Sequence, residues 1–112
     1  MLTYAVIVFG VAALGGLVLA MHVLRGKFAP WPLSYLHAAL GATGLVLLFL
    51  AVREGAGSTA TWALGALVVA ALGGFYLASL HRRQALPPKG VVLLHAGLAV
   101  AGFVLLLSIL LA

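Results

Sequence analysis

Four long runs of apolar residues, Leu2–Leu24, Leu33–Val52, Ala60–Leu80 and Gly90–Ala112, alternate with three short polar segments. At 1.5 Å per residue in a helix, runs of 20 to 23 residues cover roughly 30 to 34 Å, which matches a hydrocarbon core of about 30 Å. In lipid an open strand leaves its backbone groups unpaired, so helix is the state expected for each run. The polar segments are Arg25–Pro32, Arg53–Thr59 and Arg82–Lys89. Ser58 or Thr59 is the expected N-cap of the third helix, and a proline sets the start of the fourth. The pattern predicts an all-α, integral membrane four-helix bundle running up-down-up-down, a single domain over 1–112.

Composition agrees. Of the 112 residues 66% are apolar and 6% charged, with a mean hydropathy of +1.33, so seven charged side chains would have to dress a soluble surface. They are too few, and lipid is the expected solvent. No cysteine is present, which excludes disulfides, thiolate ligands and a thioether-linked haem. Met1–Gly10 lacks Lys and Arg, so the first run is expected to be a permanent span and not a cleaved leader.

The net charge of +5 is a topological signal. Arg25, Lys27, Arg82, Arg83 and Lys89 lie in the first and third loops, whereas Arg53 in the second is balanced by Glu54. The positive-inside rule puts loops one and three in the cytoplasm and both termini outside, in an inner or plasma membrane. Charges confined to loops give no continuous nucleic-acid footprint, and none is expected to bind. Trp31 and Tyr35 at one interface and Trp62 at the other suit an aromatic belt, with packing the alternative for Trp31.

Small residues recur four apart at Ala12, Gly16 and Ala20, and again at Ala66, Ala70 and Gly74, where helix backbones can approach closely. The chain also repeats itself. Leu36–Leu48 and Leu94–Leu106 share a Leu-His-Ala start, a glycine (Gly44, Gly102) and a Val-Leu-Leu end. In Gly15–His22 and Gly74–His81 a glycine and a histidine again coincide. Two tandem helical hairpins, about 1–53 and 60–112, are the expected repeats, related by a pseudo-two-fold axis along the membrane normal. That symmetry sets His37 opposite His95 and His22 opposite His81. His37 and His95 each lie about 7.5 Å into a helix, with the second pair shallower.

Ionisable side chains within spans are candidates for function, because burying them in lipid costs free energy. Imidazole is an axial ligand of haem iron, and a four-helix bundle can hold a cofactor between facing helices. Room for a flat macrocycle is expected beside Gly41 and Gly44, at i+4 and i+7 from His37, and beside Ala99 and Gly102, at the same spacings from His95. Propionates would turn toward the basic loops, Arg25 and Arg82 among them. One haem b on His37 and His95 is favoured, with His22 and His81 shaping its rim; a second haem on that shallower pair is the alternative.

His37-Ala-Ala-Leu-Gly41 and His95-Ala-Gly-Leu-Ala99 resemble segments of the bis-histidine transmembrane b-type cytochromes. The resemblance covers two short stretches. It implies electron transfer with a quinone or a redox protein as partner. Four spans and histidines gathered toward one face depart from the larger members, so transfer near the cytoplasmic face is expected, not transfer across the bilayer. Rival readings are a histidine-bound copper or zinc ion, a pigment site, and a cofactor-free subunit of a larger membrane complex or homo-oligomer. A hydrolytic triad is not expected: no span holds an acid to orient a histidine, and Glu54 lies at the opposite face. An electron carrier is expected ahead of a stand-alone enzyme.

Overall fold

The computed structural model describes residues 1–112 as four helices: α1 (Leu2–Leu24), α2 (Trp31–Arg53), α3 (Ser58–Arg82) and α4 (Lys89–Leu110). All four are long and apolar enough to cross a membrane. They form a bundle of 42 × 24 × 20 Å in which α1 packs chiefly on α2 and α3 on α4. The two hairpins meet through α1 against α4 and α2 against α3, leaving α2 and α4 on one diagonal.

The bundle's outer surface is apolar. Only 16 of 112 residues are buried and none of them is polar, while Leu17, Leu72, Phe75 and Leu94 project outward at 60% exposure or more. A surface of this kind is stable in hydrocarbon and not in water. The hydroxyls of Thr43, Ser79 and Ser108 each donate to a carbonyl one turn back in their own helix, so that none faces hydrocarbon unpaired.

Several helix starts differ from expectation. α2 begins at Trp31 and not Leu33, because Pro32 is tolerated in a first turn whose N–H groups have no helical acceptor. Pro30 and Pro88 are the N-caps of α2 and α4, in extended conformation. Neither Ser58 nor Thr59 caps α3. Gly57 holds that position at φ 101°, and Ser58 is already helical.

Three helices end in the same way. Lys27 N donates to His22 O and Gly26 N to Val23 O; Ala56 N donates to Ala51 O and Gly55 N to Val52 O; Ala85 N donates to Leu80 O and Gln84 N to His81 O. Each is a Schellman closure, which needs a left-handed residue just past the helix. Gly26 and Gly55 supply it without strain, whereas Gln84 adopts φ 55° with a side chain.

The core is uneven along the bundle axis. Its main cluster, Ala5, Val6, Phe9, Leu48, Ala60, Ala63, Leu67 and Leu106, fills the half that holds the Glu54 turn and the termini. Two glycines make this packing fit. A Cβ on Gly44 would stand 2.6 Å from the Phe9 ring, and one on Gly102 would stand 2.6 Å from Leu67 Cγ. The two glycines therefore receive core side chains, in correction of the expectation that they flank a cofactor slot.

The left-handed position after α3 yields a direct test. Gln84→Gly should raise stability by about 1 kcal/mol, the usual penalty of a side chain in that conformation. Gly26→Gln, whose Cβ would meet nothing within 4 Å, should lower it by a similar amount. Midpoints of unfolding by SDS titration in mixed micelles measure both.

Candidate functional site

The site is built where a polar side chain in an apolar helix must find a partner. His37, on α2, donates its Nδ1–H to the carbonyl of Ala12 on α1 at 2.8 Å. His95, on α4, donates to the carbonyl of Ala70 on α3 at 2.6 Å. Each acceptor lies 25 residues before its histidine. An acceptor that is a carbonyl requires the ring nitrogen facing it to carry the proton, so in the neutral imidazole Nε2 keeps its lone pair.

The small-residue ladder explains how an imidazole reaches a helical carbonyl, which is normally shielded by the side chain one turn later. Here that residue is glycine. A Cβ on Gly16 would lie 2.8 Å from His37 Cε1, and a Cβ on Gly74 would lie 3.1 Å from His95 Cε1. Gly16 and Gly74 are thus notches into which the rings fit. The sequence singles them out for close helix approach, and sets Gly15 and Gly74 seven residues before His22 and His81 as room beside that pair; it does not join Gly16 and Gly74 to His37 and His95, since the join depends on how α1 and α3 are rotated.

The two imidazoles meet across the bundle centre, with ring centroids 6.3 Å apart and planes at 81°. Two imidazoles on opposite sides of one metal ion, with metal–nitrogen bonds of about 2 Å, bring their centroids to roughly 6 Å. Both rings are half-buried. The surrounding layer is made of Ala12, Gly16, Ala70 and Gly74, and the largest fully buried side chains, Leu48 and Leu106, belong to the other half. An apolar cleft of about 340 Å³ runs between α3 and α4, with Val69, Gly73, Leu94 and His95 among its walls.

His22 and His81 do not face one another. Ala12 and Ala70, Gly16 and Gly74, and Gly44 and Gly102 stand as far apart in the chain as His37 and His95, but His22 and His81 are one residue further apart. On a helix one residue is a turn of about 100°. His22 accordingly donates Nδ1–H to Val18 O of its own helix at 2.8 Å, on the outer surface. His81 stacks on Trp31 (centroids 4.0 Å, planes 3° apart) and on Phe28 (5.7 Å, 8°), with Ser34 Oγ 3.4 Å from its Nδ1. It pins the end of α3 to the loop before α2. Trp31 therefore packs on His81 and Tyr35, the alternative to a belt role, while Trp62 is 77% exposed at the other end.

The remaining expected residues are distributed as follows. Gly41 and Ala99 sit on the partly covered faces of α2 and α4, and a Cβ on Gly41 would touch nothing within 4 Å. Arg25 lines an outer groove of α1 with Val18, Met21, His22 and Lys27 and so points away from the histidine pair. Arg82 is exposed at the end of α3. The four histidines do not converge, and no group of three or more His, Cys, Asp or Glu side chains is placed to hold a metal ion. Comparison with protein-family models, curated proteins and solved structures gives no match.

The glycine notches can be probed without any ligand. Gly16→Ala should destabilise the bundle by about 1–3 kcal/mol, because the His37 ring must back away from the Ala12 carbonyl. Gly74→Ala, with a few tenths of an ångström more room, should cost less. Gly41→Ala should be neutral or stabilise by up to about 1 kcal/mol through helix propensity. SDS unfolding of the three variants checks the order, and equal losses at Gly41 and Gly16 would contradict the notch.

Proposed function

We propose that this protein is a small membrane cytochrome that holds one haem b between His37 and His95 and passes electrons near the cytoplasmic face. The observation that supports this reading is the pair itself: two imidazoles on diagonal helices, each with Nδ1–H committed to a backbone carbonyl and Nε2 left as a lone-pair donor, at a spacing that suits one shared ion. Hydrogen-bonding of the distal ring nitrogen is the way metal-ligating histidines are oriented and made more basic.

Bound haem would supply one-electron chemistry at iron. The chain's own residues do the rest. Ala12 and Ala70 hold the rings against rotation, and Gly16 and Gly74 let them lie close to α1 and α3. The layer around the rings carries only small side chains on α1 and α3, Ala12, Gly16, Ala70 and Gly74, and the packed half beyond Gly44 and Gly102 closes that end to water. The cleft beside His95 opens between α3 and α4 to the surrounding lipid, where a membrane-dissolved quinone could approach an edge of the ligand. Loops one and three, with their five basic residues, would face the cytoplasm and a redox protein there. His22 and His81 have partners of their own, so a single haem is proposed.

Difference spectra test this. The full chain, expressed in a haem-producing host and purified in detergent, should show sharp α and Soret bands in the dithionite-reduced minus oxidised spectrum. His37→Ala and His95→Ala should each remove them, and His22→Ala and His81→Ala should retain them. A colourless protein carrying copper or zinc would reassign the pair to a metal ion. A pigment spectrum would reassign it to a tetrapyrrole without iron. Absence of any chromophore or metal, with co-purification of a larger complex, would identify a cofactor-free accessory subunit.

A further inference from the structure

At the outer corner of α1, away from the histidine pair, a groove of about 230 Å³ is lined by Val18, Met21, His22, Arg25 and Lys27. Its walls are graded. Val18 and Met21 are exposed apolar side chains on the span, and the two cations stand beyond them, Arg25 lying about 10 Å past Val18 along the axis. The Schellman turn at Gly26 brings this about: Lys27 N–H donates to His22 O at 2.9 Å, which folds the chain back so that Lys27 returns beside His22. The His22 ring is held in place as the intervening wall by its bond to Val18 O.

No acid neutralises these cations. Glu54, the only acidic residue of the chain, lies in the turn at the other end of the bundle. Two unpaired cations above an apolar groove, at the level where a span leaves the hydrocarbon, complement an amphiphile with an anionic head and an acyl tail. We infer that this groove is a binding site for an anionic phospholipid, with the phosphodiester between Arg25 and Lys27 and an acyl chain along Met21 and Val18. Arginine presents a planar fork to phosphate oxygens, and lysine adds a second charge. The inference is independent of any cofactor at the centre of the bundle.

Native mass spectrometry of the detergent-solubilised full chain provides the test. Dioleoyl phosphatidylglycerol should be retained in preference to dioleoyl phosphatidylcholine at equal added concentration. Lys27→Gln should weaken that retention by about fivefold, the factor that corresponds to about 1 kcal/mol per basic residue beside an anionic headgroup. Arg25→Gln/Lys27→Gln should abolish the preference, and Arg82→Gln/Arg83→Gln, which removes the same charge from the third loop, should leave it intact. Equal retention of the two lipids, or an equal loss on changing the third loop, would overturn the site. Displacement of phosphatidylglycerol by millimolar inorganic phosphate would overturn it in favour of a free-anion site.

Discussion

Everything at the centre of this bundle depends on one hydrogen bond made twice, from an imidazole Nδ1–H to a helical carbonyl on the neighbouring helix. In hydrocarbon an unpaired ring N–H is costly, and water is not there to satisfy it. The carbonyls of Ala12 and Ala70 provide the acceptor, and they can be reached only because Gly16 and Gly74 carry no side chain. The bond thereby ties three properties together: how closely the helices of each hairpin approach, which way each ring faces, and which nitrogen keeps its lone pair. None of the three can change alone.

The two ends of the molecule then take different characters. Beyond the histidine layer, Phe9 and Leu67 press into Gly44 and Gly102, and Leu48 and Leu106 are fully enclosed. Toward the basic loops small residues surround the histidine layer, Leu80 and Val92 are buried beyond it, and His81 stacks on Trp31 and Phe28. The half with the main cluster fixes the helix directions, and the other half carries the paired imidazoles. Charge follows the same division, because five of the six Lys and Arg residues are at the end that holds the histidine pair.

Much of this was legible in the sequence because lipid imposes few and strong constraints. Span length, the absence of charge within spans and the placement of Arg and Lys suffice for four helices with short turns. The repeated Leu-His-Ala segments place His37 and His95 at matching positions. What was hidden was rotation about helix axes and single-residue register. Matching Gly15 with Gly74 sets His22 against His81, whereas the contacts pair Gly16 with Gly74 and send the shallower histidines to different neighbours. Gly44 and Gly102 read equally well as room for a ligand or as room for Phe9 and Leu67, and only packing decides. The cap of α3 was misplaced because Ser58 is a good cap by type, but Gly57 has the unusual φ that turns the chain into the helix.

The recurrence of each contact at a constant separation along the chain has a consequence for how such a molecule can be assembled. Ala12 holds His37 as Ala70 holds His95, Phe9 fills Gly44 as Leu67 fills Gly102, and the two rings meet across the middle. Each hairpin thus repeats the internal contacts of the other, and across their boundary the equivalent residues His37 and His95 meet each other, as equivalent residues do at the axis of an isologous interface. A surface complementary to itself needs no second, different partner to close it. The covalent turn through Glu54 and Gly55 fixes that meeting at two hairpins in one molecule.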